Sequence, residues 1–176
     1  IVGESGSGKS VTALSVLKLL PKKCSVNGRI LFSLNGNHQV DLNNTDNDTI
    51  QKTRGNQIAM VFQEPMTSLN PVLTCGYQVM ESLKQHQGLS GEEAKRKTIS
   101  LFEQVELPQP ASILNRYPHQ LSGGQKQRVM IAMAICCEPA LLIADEPTTA
   151  LDVRVQQNIL QLIKKLQVQK NMGMLF

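Results

Sequence analysis

The sequence predicts an α/β fold with a helical block inserted between two strands of one sheet. Three observations predict it. A glycine-rich turn, GESGSGKS (residues 3–10), leads straight into an apolar periodic run. Two short apolar runs, QIAMVF (57–62) and ALLIA (140–144), read as buried strands. Between them, from Cys75 onward, the pattern turns helical.

In chain order, Val11, Leu14 and Leu17 recur at helical spacing until Pro21 ends the run. Residues 26–42, VNGRILFSLNGNHQVDL, carry short apolar runs broken by Asn-Gly pairs, which predicts an antiparallel hairpin. The tract NNTDND (43–48) reads as a polar loop. Within the helical tract 75–107, Ser90 and Glu93 form a capping box for a helix reaching about Glu106, and Pro108 stops it. A polar, proline-bearing stretch runs to His119, and a helix from about Gly123 to Cys137 follows. The last helix places Val155, Ile159, Leu162 and Leu166 on one face, and GMLF then begins another buried strand. Only Ile1 and Val2 precede the glycine turn, so a piece clipped inside strands at both ends is expected. No internal repeat is visible.

Composition bounds the function. With 176 residues, 41% apolar and 18% charged, the chain is one domain's worth with a substantial core. Its longest apolar run, 129–137, is far shorter than the ~20 residues of a membrane helix. Cys24, Cys75, Cys136 and Cys137 show neither C-x-x-C nor Cys/His metal spacing. Cys136 and Cys137 sit in the apolar run and read as small core residues of a reducing compartment. The net charge is +4, spread over Lys22-Lys23, Lys95-Arg96-Lys97 and Lys164-Lys165 as solvated faces. Aromatics are 3% and do not interleave with these groups, which argues against a nucleic-acid partner. Mild basicity also suits work beside an anionic membrane.

The glycine turn fits G-x-x-x-x-G-K-[ST] as Gly3, Gly8, Lys9 and Ser10, the P-loop pattern. Gly6 and Gly8 can take backbone angles closed to other residues, so successive N–H groups point inward at phosphate oxygens. The helix starting near Lys9 adds its positive end. Lys9 reaches the β/γ-phosphates and the Ser10 hydroxyl ligates Mg²⁺. A flexible Gly/Ser linker is the blander reading, and the helix that follows disfavours it. In LLIADEP (141–147), the strand delivers Asp145 to the carboxyl edge of the sheet, where it can hold the Mg²⁺ shell. Glu146 is placed to polarise an attacking water. In LSGGQ (121–125), Ser122 is a natural N-cap, and Gly123 and Gly124 leave N–H groups uncovered at a positive helix end. A capped helix alone would explain LSGGQ, but not its company.

With these three motifs the chain resembles the nucleotide-binding domain of the ATP-binding cassette family, whose signature is LSGGQ. The resemblance implies a P-loop NTPase (RecA-like) core from 1–71 and 138–176, an antiparallel β region, and a helical subdomain over 72–137. It implies ATP and Mg²⁺ as cofactors, held by Gly3, Glu4, Ser5, Gly6, Ser7, Gly8, Lys9, Ser10 and Val11. Gln63 matches the Q-loop glutamine, which senses metal and attacking water; Glu146 is the implied general base. Asp152, in TALD, matches the aspartate that contacts an opposing subunit, and also reads as an N-cap. Two such domains dimerise head to tail, each ATP lying between one P-loop and the Ser122, Gly123, Gly124 and Gln125 turn of the partner. The family's switch histidine is expected just beyond Phe176, and its adenine-stacking aromatic before Ile1. FQEPMTSLNP (62–71), YPHQLSGGQKQRVMIAMA (117–134) and LLIADEPTTALDV (141–153) look like bacterial oligopeptide/dipeptide importer ATPases, above all the first cassette of double-cassette members. That likeness implies a peripheral protein on the cytoplasmic face of the inner membrane. It would work with permease subunits and, indirectly, a periplasmic binding protein, and not with nucleic acid. A nickel importer of the same subfamily, and a soluble ABC ATPase acting on ribosomes or nucleic acid, remain the alternatives.

Overall fold

The computed structural model describes residues 1, 3–4, 6–34, 38–62, 68–149 and 151–176. Strands β1 (Leu31–Leu34) and β2 (His38–Asp41) pair antiparallel, Leu31 opposite Asp41 and Phe32 opposite Val40. This is the hairpin that the Asn-Gly pattern predicts, although residues 35–37 lie outside the described set. Strands β3 (Ile58–Val61), β4 (Leu141–Ala144) and β5 (Gly173–Leu175) form a parallel sheet in that order. They are the strands read from QIAMVF, ALLIA and GMLF. The amine of Ile1 donates to the carbonyl of Phe176 at 2.6 Å, so the chain enters the glycine turn on the β5 side.

Parallel neighbours require long crossovers. Here they are α7 (Val153–Gln169) between β4 and β5, and the whole helical block between β3 and β4. That block holds α3 (Cys75–Gln87), α4 (Gly91–Gln104), the short α5 (Pro110–Ile113), a 3₁₀ turn at Pro118–Gln120, and α6 (Gly123–Ile135). The predicted box at the start of α4 is present in both directions: Ser90 N–H donates to Glu93 Oε2 at 2.9 Å and Glu93 N–H to Ser90 Oγ at 3.4 Å. Ser90 thereby holds the Glu93 carboxyl below the usual carboxylate range. One buried cluster runs from Val79, Leu83 and Phe102 through Ile131 to Leu142 and Ile159. A smaller one, with Ala13, Ile50, Ile58 and Ile143, fills the other face of the sheet. Leu142 and Ile143 point to opposite faces, which is why this strand reads as continuously apolar.

Two expectations are corrected. The first helix, α1 (Lys9–Val16), stops well before Pro21; it buries Ala13, and its C-cap Leu17 is also buried, whereas Val11 is 57% exposed. Its end is tied off from a distance: Lys18 has φ 50°, and the Arg54 guanidinium donates to the Leu17 and Lys18 carbonyls at 2.7 and 2.8 Å. The tract 43–48 is not wholly loop, because Asp46 caps α2 (Asn47–Thr53) by accepting from the Thr49 amide and hydroxyl, each at 2.8 Å. Those two bonds hold the Asp46 carboxyl below its usual range.

Gly76, in the first turn of α3, lies against the chain after α5. An added Cβ would sit 2.5 Å from Leu114 Cδ2 and 2.7 Å from its carbonyl oxygen. Gly76→Ala is expected to destabilise the domain by about 1–3 kcal/mol despite the better helix propensity of Ala, because backbone cannot move aside like a side-chain tip. A denaturant midpoint equal to the wild type would show that Leu114 yields.

Candidate functional site

Burial fixes β4 at the centre of the sheet, and its carboxyl end carries the two acids. Asp145 N–H extends the ladder by donating to Val61 O at 3.0 Å. Glu146 follows at φ 45°, a sparsely populated conformation for a residue with a side chain, which turns its carboxylate away from the strand. Its Oε2 accepts from Thr149 Oγ1 at 3.2 Å.

The glycine turn meets these acids. Gly6 and Gly8 have φ 83° and 91°, the left-handed conformation that the motif requires, and Gly8 opens α1. A Cβ on Gly3 would fall 2.5 Å from Ser7 Oγ, so the turn also closes tightly on itself. Lys9 Nζ donates to the Gly3 and Glu4 carbonyls at 2.7 and 2.9 Å, and lies 3.7 Å from Glu146 Oε1. Ser10 Oγ donates to Asp145 Oδ1 at 3.0 Å, across 135 positions of sequence. Glycine turn, lysine, hydroxyl and two acids therefore converge at the carboxyl edge of a parallel sheet. Two hard oxygen donors side by side fit Mg²⁺, which takes few protein ligands and fills its octahedron with phosphate and water. Ser5 and Gln63 lie outside the described residues.

The LSGGQ turn is built elsewhere. Ser122 and Gln125 cap α6 reciprocally, Gln125 N–H to Ser122 Oγ at 3.3 Å and Ser122 N–H to Gln125 Oε1 at 3.1 Å. A Cβ on Gly124 would meet Val155 Cγ1 at 2.9 Å, and one on Gly123 would meet Leu151 Cδ2 at 3.3 Å. The signature glycines thus let α6 approach the start of α7. Asp152 caps that helix, accepting from Val155 N–H at 3.0 Å, as its N-cap reading predicts. Gln156, which the sequence does not single out, braces the same turn by donating to the Thr148 and Leu151 carbonyls at 3.2 and 2.9 Å. Nothing local marks it, since a glutamine in a first helical turn is ordinarily solvated. Between the sheet and the helical block lies a cleft of about 460 Å³, lined by Arg54, Gly55, Met60, Phe62, Ser82 and Met133.

This arrangement has counterparts among known proteins. Residues 1–149 match the family model described as ABC transporter. The chain belongs to the ABC transporter family. It is 53% identical, over its full length, to the glutathione import ATP-binding protein GsiA of Salmonella typhimurium, and 52% identical to that of Escherichia coli K12. It spans 29% of the length of these relatives. Among solved structures, the dimeric post-hydrolysis ATP-binding cassette MJ0796 bound to ADP and Pi superposes with a TM-score of 0.79 at 34% identity, covering 98% of this chain and 70% of that one. The cbiO1 protein of Clostridium perfringens, part of the cbiONQ transporter complex, gives 0.75 at 26% identity, covering 98% and 63%. These likenesses agree with the α/β P-loop fold expected from the sequence. Among the described residues, no helix is long and apolar enough to cross a membrane.

Proposed function

We propose that this chain is the ATP-hydrolysing cassette of an importer that energises peptide uptake across the bacterial inner membrane. The convergence of Lys9, Ser10, Asp145 and Glu146 carries the reading. Glutathione, named for the relatives, is itself a peptide, which favours peptides over nickel as cargo. In this reading the glycine turn and the Lys9 ammonium bind the phosphates of ATP, with Gly3, Glu4, Ser5, Gly6, Ser7, Gly8 and Val11 as the other nucleotide-binding positions. Ser10 and Asp145, with Gln63, would hold Mg²⁺, which supplies charge neutralisation on the β- and γ-phosphates when bound. Glu146 takes the proton of the attacking water.

Ser122, Gly123, Gly124 and Gln125 would present the positive end of α6 to a nucleotide on a second cassette, with Asp152 beside that interface. MJ0796, described as dimeric, supports a paired arrangement. Residues 72–137 would move as a helical unit against a core of 1–71 and 138–176. The cleft between them has the apolar walls suited to a cytoplasmic loop of a permease. A binding protein on the far side would deliver cargo without touching this domain. Copurification of the full-length protein with an integral-membrane permease is the expected result; copurification with ribosomes or DNA would overturn the importer reading.

Ser122→Arg tests the shared site. It removes a cap worth about 1 kcal/mol and should leave the fold intact. ATP binding to the P-loop of the same chain should persist, while ATP-driven pairing and hydrolysis fail. Mixed with Lys9→Ala chains, some dimers place both lesions on one composite site, so activity absent from either variant alone should return. Normal hydrolysis by Ser122→Arg as a monomer would make the turn a helix cap only.

A further inference from the structure

The proposed chemistry leaves one pair of nucleophiles unused. Cys136 caps the carboxyl end of α6 and Cys137 follows it. Their Sγ atoms lie 3.6 Å apart, and Cys137 Sγ is 3.9 Å from the carbonyl oxygen of Ser82 on α3. Cys136 is fully buried, while Cys137 keeps 7% exposure. We propose that Cys136 and Cys137 form a redox site, in which hydrogen peroxide generates a vicinal disulfide that distorts the α6–β4 junction and reversibly slows the cassette.

The sulfur atoms need only about 1.5 Å of further approach to reach the ~2.05 Å of an S–S bond. The two thiols are also unequal. The Sγ–Sγ contact with Cys136, aided by the charge of Lys97, draws the Cys137 thiol below its usual range. The same contact, and then burial, holds the Cys136 thiol protonated. Since the thiolate is the nucleophile, the more accessible sulfur is the one primed to react. Cys137 thiolate attacks one peroxide oxygen, the O–O bond breaks, and hydroxide leaves a sulfenic acid. The Cys136 sulfur then attacks the Cys137 sulfur, the S–O bond breaks and water departs, carrying the thiol proton. Overall, two thiols and one hydrogen peroxide give one disulfide and two waters.

Strain makes this bond a switch instead of a staple. Consecutive Cα atoms are ~3.8 Å apart, below the ~4.4 Å lower end of ordinary disulfides, so the ring must twist the peptide it encloses. Strained disulfides are the readily reduced ones. The twist falls on a residue now helical, at φ −62° and ψ −31°. It lies just ahead of the turn that seats β4: Glu138 has φ 56°, and the Ala140 and Leu141 amides donate to Gln57 O at 2.9 and 3.2 Å. Distortion there acts on both connected elements, α6 with Ser122 at its start and β4 with Asp145 and Glu146 beyond its end.

The activity part of this proposal rests on the ATPase reading; the disulfide does not. The test treats full-length protein with limiting hydrogen peroxide and maps tryptic peptide 129–154, which holds both cysteines between Arg128 and Arg154. The peptide is expected to resist alkylation until dithiothreitol is added, with faster amide exchange across 136–145 in the oxidised protein. ATPase activity should fall about ten-fold, in line with the cost of displacing catalytic groups, and return on reduction. The double variant Cys136→Ala/Cys137→Ala should keep its activity through peroxide treatment; if it misfolds, Cys137→Ala alone should block the internal disulfide. Two freely alkylated thiols, separate sulfinic acids, or a disulfide with unchanged exchange and unchanged ATPase would each overturn the proposal. If untreated protein hydrolyses no ATP, the proposed function fails, and the disulfide and exchange measurements decide this site alone.

Discussion

Glu146→Gln in the full-length protein is expected to bind ATP with near wild-type affinity while turnover falls by about 10²–10⁴-fold, the usual worth of a positioned general base. The amide keeps the shape of the side chain and can still accept from Thr149 Oγ1, which lies 3.2 Å from Oε2. It cannot take a proton from water. Glu146 is 40% exposed and its 3.7 Å ion pair with Lys9 is worth little to stability, so a folding defect is not expected. Equilibrium nucleotide binding measured beside steady-state phosphate release checks the split. Loss of ATP affinity would recast Glu146 as a structural or metal-shell acid.

Lys9→Ala is expected to remove nucleotide binding or hydrolysis, on the order of 10³-fold or more in rate. The ammonium is the one fixed positive charge of the phosphate turn, and no other basic residue in that turn can substitute. The structure adds a second cost. Lys9 Nζ bridges the Gly3 and Glu4 carbonyls at 2.7 and 2.9 Å, tying the first residues of the turn to the start of α1. Those carbonyls are exposed and water can satisfy them, so loss of the charge should dominate the effect. ATPase activity unchanged in this variant would sink the phosphate-binding assignment.

Features with a local physical cause were legible in advance. The left-handed Gly6 and Gly8, the capping box at Ser90–Glu93, the N-cap at Ser122, and the doubly buried strands β3 and β4 each follow from a few adjacent residues. Helix α2 escaped because its capping Asp46 sits in a polar tract, with too few apolar residues after it to show a period. The early end of α1 escaped for a different reason: the Arg54 guanidinium that ties it off comes from 36 and 37 positions away.

The same division runs through the site. Which residue types could bind phosphate, hold a metal or take a proton was written into short motifs, because backbone freedom, hydroxyl and carboxylate are properties of single residues. The contacts that join them were not. Ser10 reaches Asp145, Lys9 approaches Glu146, and Val155 fills the space beside Gly124 because a parallel sheet aligns the carboxyl ends of strands far apart in sequence. Cys136 and Cys137 show the division most sharply. Their adjacency is in the sequence, but burial against α3 and a 3.6 Å sulfur contact come from the packing of helices joined through one core.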